Sequence, residues 1–106
     1  MKTRVDLSDQ VRDFVRSLAH DPRKALRLAL HGLETERGDI KPLEGDLSGY
    51  HRLRVGGYRV VFRTAVEQGH RLVHCICAEK RSIVYELFAE ELKQLLAEPG
   101  KVPRPE

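Results

Sequence analysis

Three arginines lie in one short stretch around a glycine pair, and their spacing suggests an anion site. Residues 50–62 read Tyr-His-Arg-Leu-Arg-Val-Gly-Gly-Tyr-Arg-Val-Val-Phe, in which two strand-like runs flank Gly56-Gly57, the signature of a two-residue β-hairpin turn. A hairpin there pairs Arg54 with Arg59, and the alternation of side chains puts Arg52 on the same face. Because like charges directly opposite one another destabilise a sheet, the pattern predicts that these cations are held for an anion, with phosphate the obvious candidate.

A second basic stretch follows the next predicted strand and supplies further candidates. Lys80 and Arg81 follow that strand, and Tyr85 lies four residues after Arg81. We expect these residues to converge on the arginine face, where no carboxylate is expected from the sequence. Cations stabilise the charge that develops at phosphorus, and a phenol near several cations becomes a better proton acceptor. The set suits metal-independent attack of an RNA 2′-hydroxyl on its neighbouring phosphate, which leaves a 2′,3′-cyclic phosphate and a 5′-hydroxyl.

Three further side chains are candidates for RNA contact, and each has an ordinary structural alternative. Tyr50 shares the arginine face and could stack on a base or pack against the hairpin. Lys80 could contact RNA or pair with an acid. Arg63 falls on the Arg59 face but lies further along, where it could simply be solvated. By contrast, Tyr58 and His51 fall on the opposite face, which is predicted to be core.

Composition and charge set the broad class of the protein. The chain has 106 residues, 41% apolar and 33% charged, which is typical of one globular domain. We predict a single domain over residues 1–98 and a disordered tail over 99–106. The sequence has neither a long apolar run nor an apolar leader, so a cytoplasmic location without membrane contact is expected.

The distribution of charge is more informative than the net value of +3. Between residues 51 and 63 there are four arginines and no acid, a local basic stripe of the kind that binds polyanions; a solubilising sheet face is the alternative. Cys75 and Cys77 share one strand face by their spacing and match no standard zinc pattern. Buried reduced thiols are therefore expected, and no metal or other cofactor is predicted.

The remaining elements form an α+β layout around the hairpin. The predicted order is β-α-α-β-β-β-α. The predicted strands span about 2–7, 50–55, 58–65 and 71–79. The predicted helices span about 9–19, from Pro22 to a stop near Gly38, and from Val84 to Ala97. Asp21 is the expected cap of the second helix, and residues 39–49 are predicted to be turns. The N-terminal strand, the helical hairpin and the C-terminal helix would pack with a mostly antiparallel twisted sheet, with helices on one face only and the arginine face exposed.

The stretch from Pro42 to Phe62 resembles the hallmark region of the RelE/ParE toxin superfamily. Lys80-Arg81 followed by Val84-Tyr85 is similar to the end of the same pattern, and the resemblance spans about residues 5–96. It implies a RelE-like fold and one of two activities. RelE-like members are ribosome-dependent endoribonucleases that cut mRNA in the A site, whereas ParE-like members inhibit DNA gyrase. Both are neutralised by an antitoxin, so an antitoxin, the ribosome and mRNA are the implied partners.

The resemblance also implies a role for each matching residue. Arg52 and Arg54 stand where RelE-like members place basic strand residues that contact the phosphate and assist as base, and Arg59 matches a phosphate-stabilising arginine. Arg81 matches the cation that helps the leaving group, and Tyr85 the tyrosine that stacks on a base or transfers a proton. Strong RelE examples carry lysine at the first two positions. Because arginine almost never loses its proton, the base role moves to Tyr85 or to a water.

The expected function is therefore a type II toxin that cleaves mRNA on the ribosome and so inhibits translation. One alternative is a ParE-like gyrase inhibitor, since the same fold can carry either activity. The other is a catalytically inactive module that only binds an antitoxin.

Overall fold

A five-stranded sheet forms the centre of the fold. The computed structural model describes residues 2–97. Its strands are β1 (Thr3–Leu7), β2 (Asp39–Pro42), β3 (His51–Val55), β4 (Tyr58–Glu67) and β5 (His70–Lys80), and its helices are α1 (Asp9–Ser17), α2 (His20–Gly32) and α3 (Val84–Ala97). The strand order is β1-β5-β4-β3-β2, with β1 parallel to β5 and the other pairs antiparallel. This confirms the predicted α+β class; the predicted tail, 99–106, lies outside the described residues.

The β3–β4 hairpin has the register that its glycine pair predicts. Val55 pairs with Tyr58 and Arg54 with Arg59 across the turn. Gly56, the first turn residue, has φ of +58°, a backbone conformation that side chains with a Cβ rarely adopt. A two-residue loop leaves no freedom to slip, so every later pair in the hairpin follows from it.

The prediction of turns throughout residues 39–49 is wrong for β2. Residues Asp39–Pro42 form an edge strand antiparallel to β3, in which Ile40 pairs with Leu53. Proline has no N–H to donate, but an edge strand leaves one side unpaired, so Pro42 is tolerated there. The strand is short and polar apart from Ile40, and for this reason it carries no alternating apolar pattern.

The two N-terminal helices follow the expected hairpin with different ends. Ser8 caps α1, its hydroxyl oxygen accepting from the Val11 N–H at 3.2 Å. The expected Asp21 cap and Pro22 start are wrong, because α2 begins at His20 and Pro22 lies inside its first turn, where a missing N–H breaks no helical bond. The helix also ends at Gly32 rather than near Gly38; a short 3-10 turn, Leu33–Thr35, follows.

Helices cover both faces of the sheet, which corrects the expectation that they cover one. The larger core lies between the sheet and the pair α1 and α2, and its buried residues are Val11, Val15, Leu26, Leu30, Leu33, Leu53, Val60, Phe62, Val73, Cys75 and Ala78. A smaller core lies under α3 and buries Val61, Cys77, Val84 and Phe88. Val61 lies next but one to Arg59 on β4, so α3 packs on the arginine face.

A β-bulge in β5 separates the two cysteines. Phe62 pairs with Cys75 and Val61 with Cys77, which leaves Ile76 as an extra residue opposite this step. The extra residue reverses the alternation of faces. Cys75 therefore lies in the core under α1 and α2, and Cys77 lies in the core under α3. The expectation that both thiols share one face is wrong; the expectation that they are buried and reduced is confirmed.

Candidate functional site: an arginine cluster beside the hairpin turn

Four charged residues form a row across the sheet on the arginine face. The strand registers place Asp39 opposite Arg54, Arg54 opposite Arg59, and Arg59 opposite Glu79. Each arginine therefore has one like-charged and one oppositely charged neighbour. The expectation that no carboxylate lies among the cations is wrong, and part of the repulsion between Arg54 and Arg59 is offset by the flanking acids.

Asp39 pairs with both arginines of β3. Arg52 Nη1 lies 3.3 Å from the Asp39 carboxylate and donates to the Asp39 carbonyl oxygen at 3.1 Å. Arg54 Nε lies 3.9 Å from the other carboxylate oxygen. The Arg52 side chain is only 15% exposed, whereas that of Arg54 is 55% exposed. Arg54 is thus the more accessible of the two to a ligand.

Arg59 is a buried guanidinium bound to backbone carbonyls. Its residue is 6% exposed, and Nη1 donates to the carbonyl oxygens of Gly56 and Tyr58, both at 2.8 Å. Within residues 2–97 it forms no ion pair with a carboxylate. Its hydrogen bonds within this part of the chain use Nη1 alone. Arg59 therefore ties down the turn, and its guanidinium has further N–H groups of the kind that bind an anion.

The end of β5 reaches the same turn. The Arg81 N–H donates to the Gly57 carbonyl oxygen at 2.9 Å, which holds the Arg81 backbone beside the turn that Arg59 binds. Lys80 pairs with Tyr58, so it lies on the opposite sheet face from Arg59, and the expectation that it converges on the arginine face is wrong. A shallow depression at this sheet end is lined by Gly57, Tyr58, Lys80, Arg81 and Ser82.

The two candidate tyrosines lie at the edge of the core under α3. Tyr50 packs edge-to-face on Phe88, with ring centroids 4.9 Å apart, so the packing alternative describes its contact. Tyr85, in the first turn of α3, is half-buried against the same core. Arg63 pairs with His74 on β5 and is separated along β4 from Arg59 by the buried Val61. The structure thus brings Arg52, Arg54, Arg59 and the Arg81 backbone together and leaves Arg63 apart.

Burial raises the pKa of both cysteine thiols and of one glutamate of α3. Burial, with the charges of Glu91 and Glu79, raises the pKa of the Cys77 thiol to about 12, and burial with the charge of Asp6 raises that of Cys75 to about 12. Burial also raises the pKa of Glu91. Both thiols are therefore protonated and unreactive near neutral pH. Among residues 2–97, no three His, Cys, Asp or Glu side chains come together as a possible metal site.

Two residues of the site were missed from the sequence. Asp39 is distant in sequence from the hairpin and reaches it only because β2 forms. Glu79 precedes Lys80 directly, and its opposition to Arg59 depends on the bulge at Ile76, which shifts the register of β5. An unbulged pairing counted from the turn after Glu67 would have placed Ala78 opposite Arg59, so no local signal predicted this contact.

Comparison with known proteins identifies relatives of this chain. No family model matches the sequence. Toxin RelE of Mycobacterium tuberculosis is 45% identical over 47 residues, which cover 44% of this chain and 46% of that protein; the match spans about half the relative's length. The toxin of an archaeal RelE–RelB complex from Pyrococcus horikoshii superposes with a TM-score of 0.58 at 26% identity, over 76% of this chain and 97% of that one.

This chain is similar to RelE toxins in fold and over part of its sequence. Two further solved structures share the fold. One is the RelBE2 toxin–antitoxin complex from Mycobacterium tuberculosis, with a TM-score of 0.61 and 24% identity over 76% of this chain and 100% of that chain. The other is a YoeB/ParE toxin from Agrobacterium tumefaciens, with a TM-score of 0.59 and 20% identity over 76% of this chain and 99% of that one. None of the helices within residues 2–97 is long and apolar enough to cross a bilayer.

Proposed function

We propose that this protein is the toxin of a type II toxin–antitoxin pair and cleaves mRNA on the ribosome. The observation that carries the proposal is Arg59, a buried guanidinium at the hairpin turn that is fixed by two carbonyl oxygens through Nη1 and lies directly opposite the exposed Arg54. Such a preorganised cation stabilises charge that develops on a phosphate. The 45% identity with Toxin RelE over 47 residues supports the RelE-like activity.

In the proposed reaction, the arginines bind the scissile phosphate and no metal takes part. The 2′-oxygen attacks phosphorus and the bond to the 5′-oxygen breaks. Tyr85 or a water accepts the 2′-proton, because an arginine rarely gives up its own proton. Arg54 and Arg59 stabilise the charge on the non-bridging oxygens. Arg81 stabilises the charge on the departing 5′-oxygen, which takes a proton from a water to become a 5′-hydroxyl.

Arg52 has a different part in this proposal. Its guanidinium is largely buried and bound to Asp39, so it mainly holds β2 against β3 and adds positive potential behind Arg54. Tyr50 is packed on Phe88, so it is not a free platform on which a base could stack. Lys80 and Arg63 lie away from Arg59 and would contact RNA only beyond the cleavage point.

An antitoxin is the proposed protein partner. The structures of RelBE2 and of the archaeal RelE–RelB are toxin–antitoxin complexes. A bound segment with acidic side chains would pair with Arg54 and Arg59 and so block access of a phosphate.

The test is cleavage of mRNA on programmed ribosomes, mapped by primer extension. Wild type should give discrete A-site cuts, and Arg59→Ala should lower the cleavage rate about 10²–10³-fold, as for loss of one charge-stabilising donor. Tyr85→Phe keeps the packing and removes only the hydroxyl. A similar fall in the cleavage rate would indicate that this hydroxyl takes part in proton transfer. The matched control is Arg16→Ala on the exposed side of α1, which should cleave like wild type.

Circular dichroism and thermal unfolding check that Arg59→Ala remains folded, since Arg59 also binds the turn. Wild-type protein that makes no cut on competent ribosomes would contradict the proposal. In that case a supercoiling assay with DNA gyrase tests the ParE-like alternative, and inactivity in both assays leaves an antitoxin-binding module.

A further inference from the structure

The outer side of α2 carries an unbroken line of basic side chains. Its members recur at intervals of four, three and four residues, which places them on one side of a helix; they are His20, Lys24, Arg27 and His31. We call these four residues the α2 stripe. All four are exposed. Asp21 lies 3.1 Å from His20 Nδ1, and Glu34, in the 3-10 turn after α2, lies 3.7 Å from His31 Nδ1. The positive charge of the stripe is therefore carried mainly by its central members, Lys24 and Arg27.

The α2 stripe faces away from the arginine cluster. The opposite side of α2, with Leu26 and Leu30, is buried in the core that packs on the sheet. Arg59 lies on the other face of that sheet, on the side of α3. The stripe is about 16 Å long, from eleven residues at 1.5 Å each. The molecule therefore carries two separate cationic surfaces, on opposite sides of one sheet.

Charge and the lack of apolar anchors select the class of partner. A helix that binds a membrane surface inserts an apolar face, but the apolar side of α2 is already buried. Protein partners are usually held by apolar or aromatic anchors, and Leu28, 64% exposed, is the one large apolar residue beside the stripe within residues 2–97. Lys and Arg side chains in a row, without anchors, are what a nucleic-acid backbone requires.

We propose that the α2 stripe binds the phosphate backbone of structured RNA, separate from the strand held at Arg59. The identification of that RNA as ribosomal rests on the proposed function. Two RNA-binding surfaces on opposite sides of the protein require RNA on both sides, as in a crevice of a large folded RNA such as the ribosome. The α2 stripe thus binds the structured RNA that surrounds the cleavage point, and Arg59 acts on the RNA strand that is cleaved.

The experiment measures RNA affinity and cleavage separately. Co-sedimentation with ribosomes and fluorescence anisotropy with a labelled RNA hairpin are carried out in the Arg59→Ala background, in which little RNA is cut during the measurement. The stripe variant is Lys24→Glu/Arg27→Glu. The matched control is Lys2→Glu/Lys93→Glu, which makes the same change of net charge at exposed positions on other surfaces. All proteins are first compared by thermal unfolding.

The stripe variant should bind both RNAs at least tenfold more weakly than the control at moderate salt. Its slope of log affinity against log salt should be smaller by about 1.5, as expected for the loss of two phosphate contacts. Equal affinities for the stripe and control variants would overturn the inference, as would a stripe variant that loses affinity for the antitoxin but not for RNA. If wild type fails to cut mRNA while the stripe variant still loses RNA affinity, the inference stands and the proposed function falls.

Discussion

At the scale of single residues, the central feature is how the sheet holds three arginines so close together. Arg54 and Arg59 are directly opposed, which alone would destabilise the hairpin. Asp39 at one end of the row and Glu79 at the other reduce that repulsion, and the Gly56 and Tyr58 carbonyl oxygens fix Arg59. The cluster is therefore stable without an anion, and it remains cationic towards solvent.

Asp39 should contribute stability that depends on salt. In Asp39→Asn, Arg52 and Arg54 lose their shared carboxylate, and the like charges of the cluster repel one another more strongly. Because Asp39 is half-exposed, we expect the free energy of unfolding to fall by only about 1 kcal/mol at low salt. The fall should be smaller at high salt, because charge interactions are screened. Thermal unfolding at low and high salt, with Asp13→Asn on α1 as control, measures this. A loss that does not change with salt would mean that Asp39 acts through packing.

How far the site could be predicted from the sequence follows from the range of each interaction. The pairing of Arg54 with Arg59 depends on a two-residue turn within the same stretch, so the sequence pattern alone was sufficient. The contact between Asp39 and Arg52 joins residues 13 positions apart through a strand with no apolar alternation, so no local pattern predicts it. The roles of Arg59 and Tyr85 in catalysis stay predictions.

At the scale of elements, the bulge at Ile76 and helix α3 explain what the sequence pattern missed. Periodicity predicted all the helices and four of the strands, because their apolar faces are buried against neighbouring elements. A bulge adds one residue without changing composition, so the opposite burial of Cys75 and Cys77 has no local signal. The side of the sheet that α3 covers also depends on long-range packing, since Val84 and Phe88 require Val61 and Cys77 beneath them.

Helix α3 includes an unfavourable carboxylate. Burial raises the pKa of Glu91 above its ordinary value of 4.5, so the folded protein holds this proton more tightly than the unfolded chain. The contribution of Glu91 to stability is therefore greatest below pH 4.5 and is lost as pH rises through the higher folded pKa. Glu91→Gln should raise the melting temperature at pH 7 by roughly 1–3 °C.

The difference between Glu91→Gln and wild type should disappear below about pH 4, where the carboxyl is neutral in both states. Thermal unfolding from about pH 3 to pH 8 measures it, and Glu90→Gln, at an exposed position of the same helix, is the control. An equal rise in both variants would show a general charge effect rather than burial of Glu91.

At the scale of the whole molecule, one sheet separates two cores and two cationic surfaces. The core under α1 and α2 is the larger, and the α2 stripe lies on its outer side. The core under α3 is smaller and borders the arginine cluster. Because a small core contributes less buried apolar area, the α3 side should open at a lower free energy than the rest of the protein.

The two buried thiols report on the two cores independently. Phe88→Leu leaves a void only under α3, where Phe88 is 1% exposed, and should lower the opening free energy by about 1–2 kcal/mol. Alkylation of Cys77 at pH 8 should then become about tenfold faster, while that of Cys75 stays unchanged, because its cover is α1 and α2. Leu26→Val, in the larger core, should instead accelerate alkylation of Cys75 and leave that of Cys77 unchanged. Mass spectrometry of each cysteine peptide measures both rates. Equal acceleration of both thiols in both variants would mean that the cores open together, so α3 could not leave the arginine cluster without unfolding of the whole sheet.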